Sequence, residues 1–176
     1  MSNSSSLRII LPAGFVLLIL AAVAYVWLSP SGVQPAPKVV MTQLKGGAKI
    51  DLASLHGRPV LVTFWATSCP GCVAEMPHLI KLYQELAPKG FEIIGVAMNY
   101  DKPNNVLEMQ KQKNIPYPIV WDDVGKISRA FGTVTLTPTH FLIDPQGEIV
   151  QHKIGEIDIK LLRARVLTML ASTKQS

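Results

Sequence analysis

From Ile9 to Leu28 the chain reads IILPAGFVLLILAAVAYVWL, twenty residues without a charge. A helix of that length reaches across roughly 30 Å of hydrocarbon, which is too long an apolar element for the core of a chain this size. Arg8 and the amino terminus precede the run. The positive-inside bias therefore leaves residues 1–8 in the cytoplasm and exports the residues after Leu28. Two readings fit. The run is an uncleaved transmembrane anchor, or it is a signal peptide cut after the small-x-small triplet Ala22-Val23-Ala24. Tyr25 to Leu28 carry the apolar run beyond that triplet and Trp27 suits an interface, which favours the anchor. On either reading the remainder folds where disulfides persist.

Residues 29–37 (SPSGVQPAP) are rich in Pro, Ser and Gly and read as an extended tether. A folded domain is expected over residues 38–176. Val39 to Leu44 and Ala48 to Leu52 read as a hairpin across Lys45-Gly46-Gly47. Pro59 to Trp65 (PVLVTFW) and Phe91 to Ala97 (FEIIGVA) are unbroken apolar runs, the pattern of strands buried on both faces. Between them, apolar residues at helical spacing predict a helix from Cys69 to about Ala87. Helices are expected over Asn104 to Lys113, Gly125 to Phe131 and Asp158 to Ala171, the last with Asp158 as cap. Short strands are expected at Ile119 to Trp121, Thr139 to Ile143 and Glu148 to Lys153, the last two around the turn Asp144-Pro145-Gln146-Gly147. This alternation puts a mixed sheet between helices, an α/β class.

Both cysteines of the chain lie in TFWATSCPGCVAEMP, two residues apart, where the strand ending at Trp65 meets the helix. A structural zinc needs four ligands. Here there are two cysteines, and His56, His78, His140 and His152 lack paired spacing. A disulfide closing so short a loop removes little unfolded-state entropy, which weighs against a structural bond. A redox pair remains. A helix N-terminus favours a thiolate, the nucleophile of thiol–disulfide exchange. Cys69, at the outer end, is expected to attack, and Cys72, one turn further in, to resolve. Pro70 suits the first helical position. Glu75 shares a helical face with Cys72. From the residues alone it is either a proton carrier for that thiol or a solvated acid favoured by the helix dipole.

The stretch VLVTFWATSCPGCVAEMP resembles the thioredoxin superfamily, and more narrowly the membrane-tethered TlpA/ResA/CcmG-like thiol–disulfide oxidoreductases. Gly57, Val60, Leu61, Val62, Phe64, Trp65, Ala66, Cys69, Cys72, Glu75 and Pro77 stand in step with that pattern, and Arg58 replaces its lysine. The resemblance extends to LKGGAKIDLASLHGRP and FGTVTLTPTHFLIDPQGEIV. It implies a thioredoxin-like mixed sheet flanked by helices, with an N-terminal β-hairpin extension and a βα insertion, preceded by one transmembrane helix. It implies that Cys69 and Cys72 are the redox pair and that Glu75 is the acid beside the buried cysteine. Pro138 would follow a cis peptide bond facing the site, Thr137 would present its backbone to an extended substrate segment, and Pro77 would bend the helix. Trp65, Pro70, Thr137 and Pro138 are thus the expected substrate contacts, with core packing the alternative for Trp65. Thr63 stands where thioredoxin has a buried aspartate, and Pro70-Gly71 inverts thioredoxin's Gly-Pro.

The activity so implied is an extracytoplasmic thiol–disulfide oxidoreductase of the bacterial inner membrane, single-pass, with its catalytic domain on the periplasmic side. It would reduce disulfides of exported proteins, cytochrome c maturation being one such route. A membrane thiol donor would renew it, and no cofactor is implied beyond the Cys69–Cys72 pair. The alternative is a copper metallochaperone using Cys69, Cys72 and His140, since thiolates suit Cu(I). A thiol peroxidase needs threonine three residues before its cysteine, where Ala66 stands. The net charge of +5 is scattered without a dense run, so no nucleic-acid partner is expected. His56, His78 and His152 read as surface residues, and Asp122-Asp123 as a helix cap or solvated turn.

Overall fold

The computed structural model describes residues 18–21 and 34–173. Residues 18–21 are helical and exposed. Apart from them, the expected span 9–28 lies outside the described residues. Among the described residues no helix is long and apolar enough to cross a membrane.

The described residues form a six-stranded sheet in the order β1-β8-β7-β4-β5-β6 and a separate two-stranded sheet, β2-β3. The strands are β1 (Gln34–Pro35), β2 (Val40–Thr42), β3 (Lys49–Asp51), β4 (Val60–Trp65), β5 (Glu92–Ala97), β6 (Ile119–Trp121), β7 (Thr139–Ile143) and β8 (Glu148–Ile154). The helices are α1 (Pro70–Leu86), α2 (Pro103–Gln112), α3 (Lys126–Ala130) and α4 (Ile159–Thr173). All six residues of β4 are buried. That strand pairs with β5 in parallel and with β7 antiparallel, so the sheet is mixed, as expected. The hairpin β2-β3 is bound to the main sheet where Leu44 N–H donates to Ile119 O at 2.8 Å. Gln34 and Pro35, expected in the tether, pair with β8 instead.

Side chains alternate across a strand, and the core divides accordingly. Leu61, Trp65, Ile93, Ala97 and Leu142 face α1, α2 and α4, meeting Met76, Leu79, Val106, Leu162 and Val166. Val60, Val62, Phe64, Ile94, Phe141 and Ile143 face the hairpin and α3, meeting Met41, Ile127 and Phe131. By the same alternation Thr63 and His140 belong to the α1 face.

The path of α1 crosses Pro77, which lies inside the helix and costs about 3 kcal/mol in a helix interior. Met76, Leu79, Leu82 and Leu86 are buried on its inner face, each contributing roughly 1.5–3 kcal/mol. Packing therefore outweighs the proline, and the helix runs on to Leu86. Two caps sit as the sequence suggests. Asp122 is buried, and its carboxylate accepts the Ile127 and Ser128 N–H groups at 2.8 Å each, at the start of α3. Asp158 Oδ1 accepts Leu161 N–H at 3.0 Å, at the start of α4.

Candidate active site

β4 ends at Trp65, and four residues, Ala66 to Cys69, turn the chain into α1. Cys69 N–H donates to Ala66 O at 3.1 Å. Cys69 caps the helix in an extended conformation (φ −96°, ψ 106°), with Pro70 in the first turn. Pro70 has no N–H to leave unpaired there. Cys72 N–H donates to Cys69 Sγ at 3.2 Å, so one of the free donors of the helix end points at the outer sulfur. The two cysteines form a disulfide, with Cα atoms 5.3 Å apart. They differ in access: Cys69 is half-buried, whereas Cys72 is only 3% exposed.

Glu75 is also buried, at 6% exposure, so it is not the solvated acid that its place in a first turn allowed. Its Oε2 accepts Ile157 N–H at 3.3 Å. Its Oε1 lies 3.1 Å from His140 Nε2, off the line of a hydrogen bond, since neither ring nitrogen of His140 has a hydrogen-bond partner. Thr63, Trp65, Cys72, Glu75, Met76, Leu79 and Tyr117 line a cavity of about 10 Å³, the smallest size that admits a water molecule. Burial pushes the Tyr117 phenol well above its usual range, and the charge of Glu75 adds to the effect. Tyr117 is therefore a neutral wall of this chamber.

The peptide bond between Thr137 and Pro138 is cis, as the resemblance implies. Pro138 is buried and Thr137 half-buried. Pro138 O accepts Gly155 N–H at 2.8 Å. A Cβ on Gly71 would stand 3.7 Å from Pro138 Cδ and 3.3 Å from Glu156 Oε1. The Pro138 loop and Glu156 thus flank the cysteine turn. The Tyr100 hydroxyl lies 3.4 Å from Thr137 Oγ1, and its ring is exposed.

The structure departs from two expectations and adds two residues to the site. Trp65, expected against the substrate, is 3% exposed and lines the chamber behind Cys72; its place in β4 turns it under α1, where core packing holds it. The copper set of Cys69, Cys72 and His140 is not assembled. His140 is wholly buried against Glu75, and among the described residues no group of three or more His, Cys, Asp or Glu could hold a metal ion. Asp101 and Glu156 were not expected at all. Asp101 accepts both the N–H and the hydroxyl of Thr67, and only the folded chain brings the two together. His56, His78 and His152 are exposed, His152 stacking on Phe141 at 4.3 Å.

The sequence model of the Redoxin family matches residues 32–166. The chain is 38% identical over 122 residues to thiol-disulfide oxidoreductase ResA of Bacillus thuringiensis subsp. konkukian, covering 69% of this chain and 68% of that one. To the ResA of Geobacillus kaustophilus it is 32% identical over 153 residues, covering 82% and 86%. The crystal structure of a thiol:disulfide interchange protein of the thioredoxin family from Chlorobium tepidum superposes with a TM-score of 0.72 at 29% identity, covering 81% of this chain and 99% of that one. The fold is thioredoxin-like.

Proposed function

The chain belongs to the Redoxin family and is a thiol–disulfide oxidoreductase, and we propose that it works outside the cytoplasm as a reductase of disulfides in exported proteins, apocytochromes c among them. The observation that carries this reading is the difference in access within one disulfide. Cys69 stands half-buried at a helix N-terminus, Cys72 is closed off behind it, and a buried acid follows one turn on.

In the reduced protein the Cys69 thiolate attacks one sulfur of the substrate disulfide. The substrate S–S bond breaks, one substrate thiolate leaves, and Cys69 is joined to the other sulfur. Cys72 then attacks Cys69 Sγ, giving its proton to Glu75 as the Cys69–substrate bond breaks. The second substrate thiolate departs, and Cys69 and Cys72 are left oxidised by two electrons. Glu75 takes the proton because Thr63 offers no carboxylate on the neighbouring strand. An extended substrate segment lies along the Thr137-Pro138 loop, pairing with the Thr137 backbone in the manner of strand addition, while Pro70 borders Cys69 on the exposed side.

The direction rests on the resemblance to membrane-tethered oxidoreductases that a membrane thiol donor renews. Residues 9–28 anchor the chain in the inner membrane, with residues 1–8 in the cytoplasm and the domain in the periplasm. The test is trapping on the full chain. Cys72→Ala should accumulate mixed disulfides through Cys69, and Cys69→Ala should not. If Cys69→Ala is the variant that traps partners, the assignment of nucleophile is reversed.

A further inference from the structure

We propose that His140 is a positioning residue for the proton of the resolving step and that it acts through Glu75. The proposal rests on the reading of Glu75 as the carrier of that proton.

His140 lies on β7 among Thr139, Phe141, Leu142 and Ile143, all of them buried. It is 0% exposed, and neither Nδ1 nor Nε2 has a hydrogen-bond partner. A polar ring so enclosed is costly unless it is paired. Glu75 is the ionisable group against it among the described residues, with Oε1 3.1 Å from Nε2. A modest turn of either side chain would complete a hydrogen bond between them. The other titratable groups that the fold sets around the pair are few. Cys72 and Tyr117 line the chamber with Glu75, and burial beside that acid keeps Tyr117 protonated. Lys153 on β8 stands opposite His140 in register but is exposed. Thr63, opposite His140 on β4, does not titrate in this range.

Two proton sites this close can share one proton as a unit. With no proton bound, the unit is a carboxylate beside a neutral imidazole and carries one negative charge. With one proton bound it is neutral, either as carboxylic acid and imidazole or as carboxylate and imidazolium. When Cys72 attacks Cys69 Sγ, the thiol proton passes to Glu75. The Cys69–substrate bond breaks with its electron pair on the departing sulfur, and the Cys69–Cys72 bond forms. His140 gives the transferred proton a second place to rest without leaving a net charge in the interior. In this way His140 positions the transferred proton beside Glu75.

The test uses the reduced full chain and the aromatic disulfide 5,5′-dithiobis(2-nitrobenzoate). Attack by Cys69 releases the first coloured thiolate, and resolution by Cys72 releases the second. The rate of the second release is followed against pH. In wild type it should rise with pH as the base that takes the Cys72 proton becomes free to accept it. In His140→Gln the pH profile of the second release should differ from that of wild type, because the shared site is gone. The plateau rate should fall by roughly tenfold, because the proton is no longer positioned at Glu75. Glu75→Gln should be slower still, and the double variant should be no slower than Glu75→Gln alone.

If Glu75→Gln slows the step while His140→Gln matches wild type, the proposal fails and the reading of Glu75 stands. If Glu75→Gln matches wild type, that reading fails and the proposal with it. A double variant slower than Glu75→Gln shows His140 acting independently, which also overturns the proposal. Should His140→Gln not fold, ¹⁵N shifts of the His140 ring in wild type decide the matter. They should differ between oxidised and reduced protein, and shifts that do not change with redox state contradict the proposal.

Discussion

Asp101 holds Thr67 at two points: Oδ2 accepts the Thr67 N–H at 2.6 Å, and Oδ1 accepts its hydroxyl at 2.7 Å. Oδ1 also accepts Lys102 N–H at 3.0 Å, and the Asp101 carbonyl accepts Trp121 Nε1–H at 3.1 Å. The carboxylate therefore ties the segment after β5 to the turn that delivers Cys69. Asparagine keeps the shape but turns one acceptor into a donor that faces donors. Asp101→Asn should cost about 1.5–3 kcal/mol, the scale of hydrogen bonds to a charged group. It should also slow the attack of Cys69. Urea unfolding and the first phase of the aromatic-disulfide reaction measure the two effects.

Gly95 sits in the middle of β5, where a Cβ would come within 2.6 Å of Ile119 Cδ1, 3.2 Å of Trp65 Nε1 and 3.3 Å of Tyr117 Cε2. Two of these three neighbours wall the chamber behind Cys72. Gly95→Ala overpacks the site and should destabilise the protein by about 1–3 kcal/mol. It should also alter the fluorescence of Trp65. An unchanged unfolding midpoint would mean that the chamber yields more readily than its contacts suggest.

Tyr83 O–H donates to Glu92 Oε1 at 3.0 Å. Burial first, and Glu92 second, raise its phenol from 10.0 to about 12. A raised folded-state value favours the protonated form in the native protein. The stabilisation is thus complete below pH 10 and is lost as pH climbs from about 10 towards 12. Tyr117 shifts in the same direction. Tyr83→Phe should therefore flatten, without abolishing, the loss of stability in that interval. Unfolding curves collected from pH 9 upward, at about half-unit steps, would show the difference.

The long apolar strands and the hairpin signals were legible in sequence because each is written in adjacent residues. PVLVTFW and FEIIGVA appear as the centre of the sheet, and Asp144-Pro145-Gln146-Gly147 as the turn between β7 and β8. β1 was not legible. It is two residues long, contains a proline, and is a strand only because β8 lies beside it. The cysteine pair was legible for the same reason as the strands, since motif and helix start coincide in the chain. The distant partners that hold it in place were not. Asp101 is 34 residues from Thr67, and Ile157 is 82 from Glu75, so only the closed fold joins them. Trp65 was open to a better reading. Counting alternate positions from Leu61 puts it on the helix-covered face, and the same count from Leu142 puts His140 there.

If Cys69 and Cys72 pass electrons to exported proteins, as proposed, the reduction potential of that pair in the full chain shows it. Equilibration against glutathione or dithiothreitol, read by thiol alkylation, should place it at about −200 mV or below, in the range of reducing thiol–disulfide proteins. A value near about −120 mV, that of a strong disulfide-forming oxidant, would contradict the account.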